Sequence, residues 1–284
     1  MIANDTGATV MTGSESEKKA HNDPIVVGHR WKLTFWLLAL SLIGWTFLAW
    51  MALDMGHPLA QLMMPASSTW TTANMWAILC MWAIMMAAMM LPSALPAVVT
   101  FARLCESRGE HPRFLAFVWA YLLVWIGFSV AGTAMQWFLQ FEDQLSPMIV
   151  STSVGLSGSL LLIAGLYQFS PLKRVCLANC RTPMVFFLGQ WRAGIRGAFV
   201  MGLRHGWFCL GCCWALMALL FVGGVMNIAW IAALSIAVAI EKIAPYGDKI
   251  ALLLGFGLIV AGVIRLVDQV TGCVLLCRSF SVHI

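Results

Sequence analysis

Long unbroken apolar runs, separated by short polar connections, dominate the chain from residue 32 onward. They cover roughly 32–53, 74–103, 113–141, 147–169, 195–223, 225–244 and 249–268. Runs of about 18 or more apolar residues mark membrane-crossing helices, whereas half-buried strands alternate over short stretches. In hydrocarbon every backbone group must be satisfied internally, which leaves helices or closed barrels. Unbroken runs select helices. The pattern predicts an all-α polytopic transmembrane bundle of about seven spans. The second and third runs exceed the roughly 20 residues a span needs, so tilt or projection beyond the bilayer is expected. The first run begins too late and is too long for a cleaved signal, so it reads as an uncleaved anchor. Residues 1–30 are polar, with Glu15, Glu17, Lys18 and Lys19, and read as a disordered cytoplasmic tail. Residues 31–270 then form a single transmembrane domain, and 271–284 a C-terminal tail.

Charge placement orients these spans. Lys18, Lys19, Arg30 and Lys32 precede the first. Arg103, Arg108 and Arg113 lie in the second connection, and Lys173, Arg174, Arg181, Arg192 and Arg196 in the fourth. Lys242 and Lys249 flank the sixth connection, whereas 54–73, 142–146 and 223–226 contain no Lys or Arg. Basic residues stay cytoplasmic. The N-terminus is therefore expected inside, 54–73 outside and 171–194 cytoplasmic, in a multi-pass protein of the inner (cytoplasmic) membrane. A seventh span puts the C-terminus outside, against which Arg265 and Arg278 argue.

Composition agrees with this reading. Hydrophobic residues make up 61% and charged residues 10% of the 284, far from a soluble domain, and the lipid bilayer becomes the first partner. The net charge of +5 is a topology signal; no basic helix or motif accompanies it, and nucleic acid is not an expected partner. No Walker loop, Gly-x-Ser-x-Gly or His-Glu-x2-His is present.

Candidate chemistry is concentrated in sulfur and imidazole. In the fifth span His205, Cys209 and Cys212 follow at i, i+4 and i+7, on one helical face, with Cys213 beside them. Thiolate and imidazole bind copper, zinc or iron. Membrane cysteines also serve as small apolar fillers, but this concentration at bilayer depth favours a metal. One helix does not complete a site, since its side chains diverge; the methionine helix or the Cys176/Cys180 segment is the expected contributor. In the second span Met81, Met85 and Met89 form a stripe, with Met86 and Met90 alongside. Thioethers bind Cu(I), although methionine is also an ordinary packing residue, and Met85 and Met89 are the candidate ligands here. Pro92 and Pro96 are expected to kink that helix. Asp54, Met55 and His57 close the first span at the outer face, beside Met63 and Met64, and suit copper better than calcium. Cys176 and Cys180, spaced x3 in a basic connection, suit a metal better than a disulfide in a reducing compartment. Cys273 and Cys277 repeat that spacing in the C-terminal tail. Arg204 and Glu241, at similar expected depth, are candidates for a structural ion pair. Gly202 and Gly206 permit close helix approach, which places the fifth span centrally.

Taken together, three runs resemble a bacterial family of predicted metal-binding integral membrane proteins, long catalogued as a domain of unknown function. They are the methionine-rich Met81 to Ser93, Gly-Leu-Tyr-Gln-x2-Pro-Leu-Lys-x2-Cys-x3-Cys-Arg (Gly165 to Arg181), and Gly-Leu-Arg-His-Gly-x2-Cys-x-Gly-Cys-Cys-Trp-Ala (Gly202 to Ala215). Phe221 to Asn227 and Glu241-Lys242 extend the likeness, which covers about residues 70–265. The resemblance implies a metal role centred on His205, Cys209, Cys212, Cys213, Cys176 and Cys180, and no settled reaction. The expected function is copper binding through Cys, His and Met, receiving or handing on the metal to a membrane or periplasmic metalloprotein. Two alternatives stay open: a subunit of a copper-dependent membrane oxygenase acting on apolar substrates, and a metal-free thiol-redox membrane protein.

Overall fold

A computed structural model describes residues 24–65, 69–106, 111–146 and 149–281. Among these the chain is all-α, with two residues, Leu145 and Ser151, joined in an isolated bridge. The helices are α1 (Pro24–Leu53), α2 (Pro58–Met63), α3 (Thr72–Glu106), α4 (His111–Phe141), α5 (Val154–Gln168) and α6 (Pro171–Arg181). They continue with α7 (Pro183–Gln190), α8 (Gly194–Ala218), α9 (Leu220–Gly223), α10 (Ile228–Ile243) and α11 (Gly247–Ser281). Most of the expected 1–30 tail lies outside the described residues, but α1 already begins at Pro24. The expected tail from 271 is helical through Ser281 as part of α11; the side chains of Cys273 and Cys277 lie outside the described residues.

Several of these long apolar helices are compatible with a multi-pass membrane protein, in smaller number than the seven expected. Five helices are long and apolar enough to cross, or up to six if the bent pair α5–α6 counts as one span. The fourth apolar run yields a helix only from Val154, because 142–146 and 149–153 are non-helical, with positive φ at Asp143 and Ile149. At 16 residues, α10 is about 24 Å long, short of the roughly 30 Å hydrocarbon core.

The connections segregate to two ends, as the charge pattern requires. At the end free of Lys and Arg, Trp70 Nε1 donates to Gln140 Oε1 at 3.0 Å, and the Ser151 amide to Phe221 O at 2.9 Å. At the other end, Arg113 Nη2 donates to Arg192 O at 2.7 Å, and Arg181 Nη1 to Asp248 Oδ2 at 2.9 Å.

Pro92 and Pro96 sit inside α3 without ending it. The missing N–H of Pro92 deprives the Ala88 carbonyl of its helical donor. Ser41 Oγ donates to that carbonyl at 2.8 Å, so α1 docks on α3 where the helix has a bond to give. Between apolar helices in lipid, close packing rather than water exclusion drives association, so small residues mark the seams. A Cβ on Gly202 would collide with Phe117 O, and one on Gly206 would lie 2.8 Å from Val124 Cγ2; these glycines let α8 seat against α4. Gly165 of α5 likewise meets Gly255 of α11. The fifth apolar run is central as expected, with α8 touching α4, α5, α6, α9 and α10.

The largest departure from the sequence reading is the segment 171–190, expected as a cytoplasmic loop. The chain bends by 65° between α5 and α6. Pro171 has no N–H to continue α5, and Ser170 caps the new helix by accepting from the Leu172 amide. α6 then lies against α8, burying Lys173, Cys176 and Leu177, and α7 buries Phe186 and Phe187. Gly211 makes this approach possible, since a Cβ there would stand 2.7 Å from Cys176 Sγ.

Candidate metal centre

The face of α8 carrying His205, Cys209 and Cys212 is turned inward, and Cys213 is buried with it. Tyr121 of α4 places its hydroxyl 3.2 Å from Cys209 Sγ and also donates to Met90 O at 3.3 Å. Lys242 of α10 brings Nζ to 3.0 Å from the same sulfur and 3.1 Å from Ser93 Oγ. Ser93 in turn donates to Met90 O at 3.0 Å, with the Met90 thioether 4.0 Å away. From α6, which packs on α8, Cys180 lies near Cys209 and Cys212. Five helices therefore contribute to one buried cluster of thiols, a thioether, hydroxyls and an ammonium.

Both segments named as alternative contributors to the α8 stripe come near it. The Cys176/Cys180 segment supplies Cys180; Cys176 packs against Gly211, where Tyr167 also donates to the Gly211 carbonyl. The methionine helix supplies Met90, tied to the cluster through Ser93, while Met81, Met85 and Met89 are buried in the same core. His205 sits one turn before Cys209 in a cage of Phe117, Tyr121 and Phe186, with ring centroids 5.6–5.9 Å away, and its Nδ1 has no hydrogen-bond partner among the described residues.

The thiols are not arranged as a finished cage. Among the described residues no group of three His, Cys, Asp or Glu side chains stands ready to hold a metal. The cause is visible: Cys212 and Cys213 both donate back to the Cys209 carbonyl, at 3.1 and 3.0 Å. A metal must draw these side chains off their own helix.

The expected Arg204–Glu241 pair does not form. Arg204 is exposed and donates to Gln190 Oε1 at 2.9 Å. Glu241 instead accepts from Lys173 Nζ at 2.7 Å, with both side chains nearly inaccessible. Spacing on α8 decides this: Arg204 precedes the buried stripe and projects away from α10. Asp54 and His57 belong to the opposite end. His57 Nδ1 caps α2 by accepting from Leu59 N at 3.2 Å, and its ring meets Trp50 at 4.9 Å. Met90 lies about 27 Å along α3 from its start at that end.

Lys242, Tyr121, Ser93 and Lys173 were not singled out as site residues from the sequence. The one signal available was that Ser93, Lys173 and Lys242 fall inside the runs that carry the family resemblance. A cavity of about 140 Å³ borders α6 at Lys173 and Leu177, and Gln168, which lines it, has both amide atoms unpartnered.

Residues 79–265 match the family model described as PpoB2, copper chaperone. The chain belongs to this copper-chaperone family. No curated protein and no solved structure matches it. The matched region of the copper-chaperone family contains Ser93, Tyr121, Cys180, Cys209, Cys212 and Lys242, and excludes Asp54 and His57. The metal expected from the sequence thus becomes copper handling at the level of the family.

Proposed function

We propose that this protein is an inner-membrane copper chaperone that receives Cu(I) as cargo on Cys180, Cys209 and Cys212 and hands it to a membrane or periplasmic metalloprotein. The packing of α6 on α8, which brings Cys180 near Cys209 and Cys212, carries this reading. It joins sulfurs from two separate helices, as a metal site needs and a single helix cannot supply. Thiolates are soft donors that favour Cu(I), and the Met90 thioether adds a neutral one. His205, with its unpartnered Nδ1 one turn away, and Cys213 are reserve donors through which the ion can pass. A chaperone must release its cargo, so a set whose thiols turn back onto their own helix carbonyl when empty suits transfer better than a rigid cage. Asp54, His57 and the neighbouring Met63 and Met64 form a separate outward-facing station in this scheme.

The test is elemental analysis of protein purified in detergent and loaded with Cu(I) under reducing conditions. The parent retains copper after desalting, and Cys209→Ser, still folded by helical content and gel filtration, retains far less. A folded Cys209→Ser variant with the parent's full copper content contradicts the assignment. A parent that binds no copper but forms Cys180–Cys209 disulfides reversibly would favour the thiol-redox alternative.

A further inference from the structure

Three charged side chains are buried beside the thiols, and two of them neutralise each other. Lys173 is paired with Glu241. Lys242 is 7% exposed, and its Nζ is held by the neutral Ser93 hydroxyl and by Cys209 Sγ. Among the described residues no carboxylate forms a salt bridge with it. A cation at this depth is costly unless an anion faces it, and the sulfur of Cys209 is the atom in place. The centre therefore carries one built-in positive charge before any metal arrives.

We propose, resting on the copper reading above, that Lys242 is a specificity-determining residue that makes the centre select monovalent over divalent soft ions. Cys209 and Cys180 supply two thiolates. A monovalent ion on them, next to the Lys242 ammonium, leaves the buried site neutral. The remaining thiol stays a neutral S–H, bonded to carbonyl oxygen as Cys212 is to Cys209 O. A divalent ion on the same pair leaves an uncompensated positive charge a few ångströms from Nζ. At the effective dielectric of protein sites such a charge shifts an equilibrium by more than about tenfold. Removing the lysine charge inverts the balance: the divalent complex becomes neutral and the monovalent one anionic.

Ag(I) and Cd(II) are suitable probes, since both are thiophilic and neither changes oxidation state. Equilibrium dialysis of the full chain in detergent, read by elemental analysis, gives the affinity ratio. Loss of Ag(I) in Cys209→Ser first establishes that the probes report on this centre; retention there defeats the copper reading itself, and this inference with it. With that control in hand, Lys242→Met raises the Cd(II)/Ag(I) affinity ratio by at least about tenfold, and Lys242→Arg keeps the parent's ratio. Should Lys242→Met fail to fold, Lys242→Gln removes the charge and keeps a donor for Ser93. A ratio in the neutral variant within about threefold of the parent overturns the proposal, as does a parent that binds Cd(II) as tightly as Ag(I).

Discussion

Lys173 of α6 and Glu241 of α10 meet at 2.7 Å with side chains 1% and 2% exposed, and this pair pins the bent segment to the body of the protein. It brackets the cluster: one turn beyond Lys173 lies Cys176, a further turn brings Cys180, and Glu241 precedes Lys242. Breaking one side of a buried pair strands a charge, at a cost of about 3–5 kcal/mol. Glu241→Ala and Lys173→Ala should each lower the melting temperature in detergent sharply. The exchanged pair, Lys173→Glu with Glu241→Lys, should recover part of the loss. Single variants that melt like the parent would show that the pair contributes nothing.

Much of the architecture was legible in the chain because helix formation in lipid is dictated by apolar length. The runs 74–103 and 113–141 became Thr72–Glu106 and His111–Phe141, and the stripe His205, Cys209, Cys212 is buried as its spacing requires. The segment 171–190 was not legible, for an electrostatic reason. Lys173, Arg174 and Arg181 give it the composition of a cytoplasmic loop, and the partners of Lys173 and Arg181 lie far along the chain. Glu241 is 68 residues from Lys173 and Asp248 is 67 from Arg181. Periodicity sees neighbours on one helix and is blind to such pairings. The same blindness set Arg204 against Glu241, two charges of similar depth whose side chains face different ways, and left Lys242 as one more basic residue flanking a connection.

The segregation of the connections yields an orientation. With basic residues kept cytoplasmic, the end carrying Arg181 and Asp248 is expected to face the cytoplasm and the end carrying Gln140 and Ser151 the outside. Topology reporters fused after Gln144 and after Arg192 should report opposite sides, the first external. Both reporting one side would invalidate the arrangement of the ends.

Among the methionines, Met90 should matter most to copper. Met81, Met85 and Met89 are core residues, and exchanging all three for Leu conserves volume, at a cost below about 1.5 kcal/mol per site. Cu(I) affinity in that triple variant should stay near the parent's, whereas Met90→Leu, beside Ser93, should weaken it. The reverse ranking would mean that the stripe, rather than the cluster, holds the ion.

The central claim is that α6 delivers a copper ligand to α8, and Cys180→Ser tests it most directly. The measurement is Cu(I) affinity of the full chain in detergent, by competition with a chromophoric Cu(I) chelator. Cys180 is half-buried and takes no part in the Lys173–Glu241 pair, so its hydroxyl analogue should fold normally. Loss of one soft donor from a thiolate set should weaken Cu(I) binding by at least about tenfold, or about 1.4 kcal/mol. A folded Cys180→Ser variant that competes for Cu(I) as well as the parent would contradict the account.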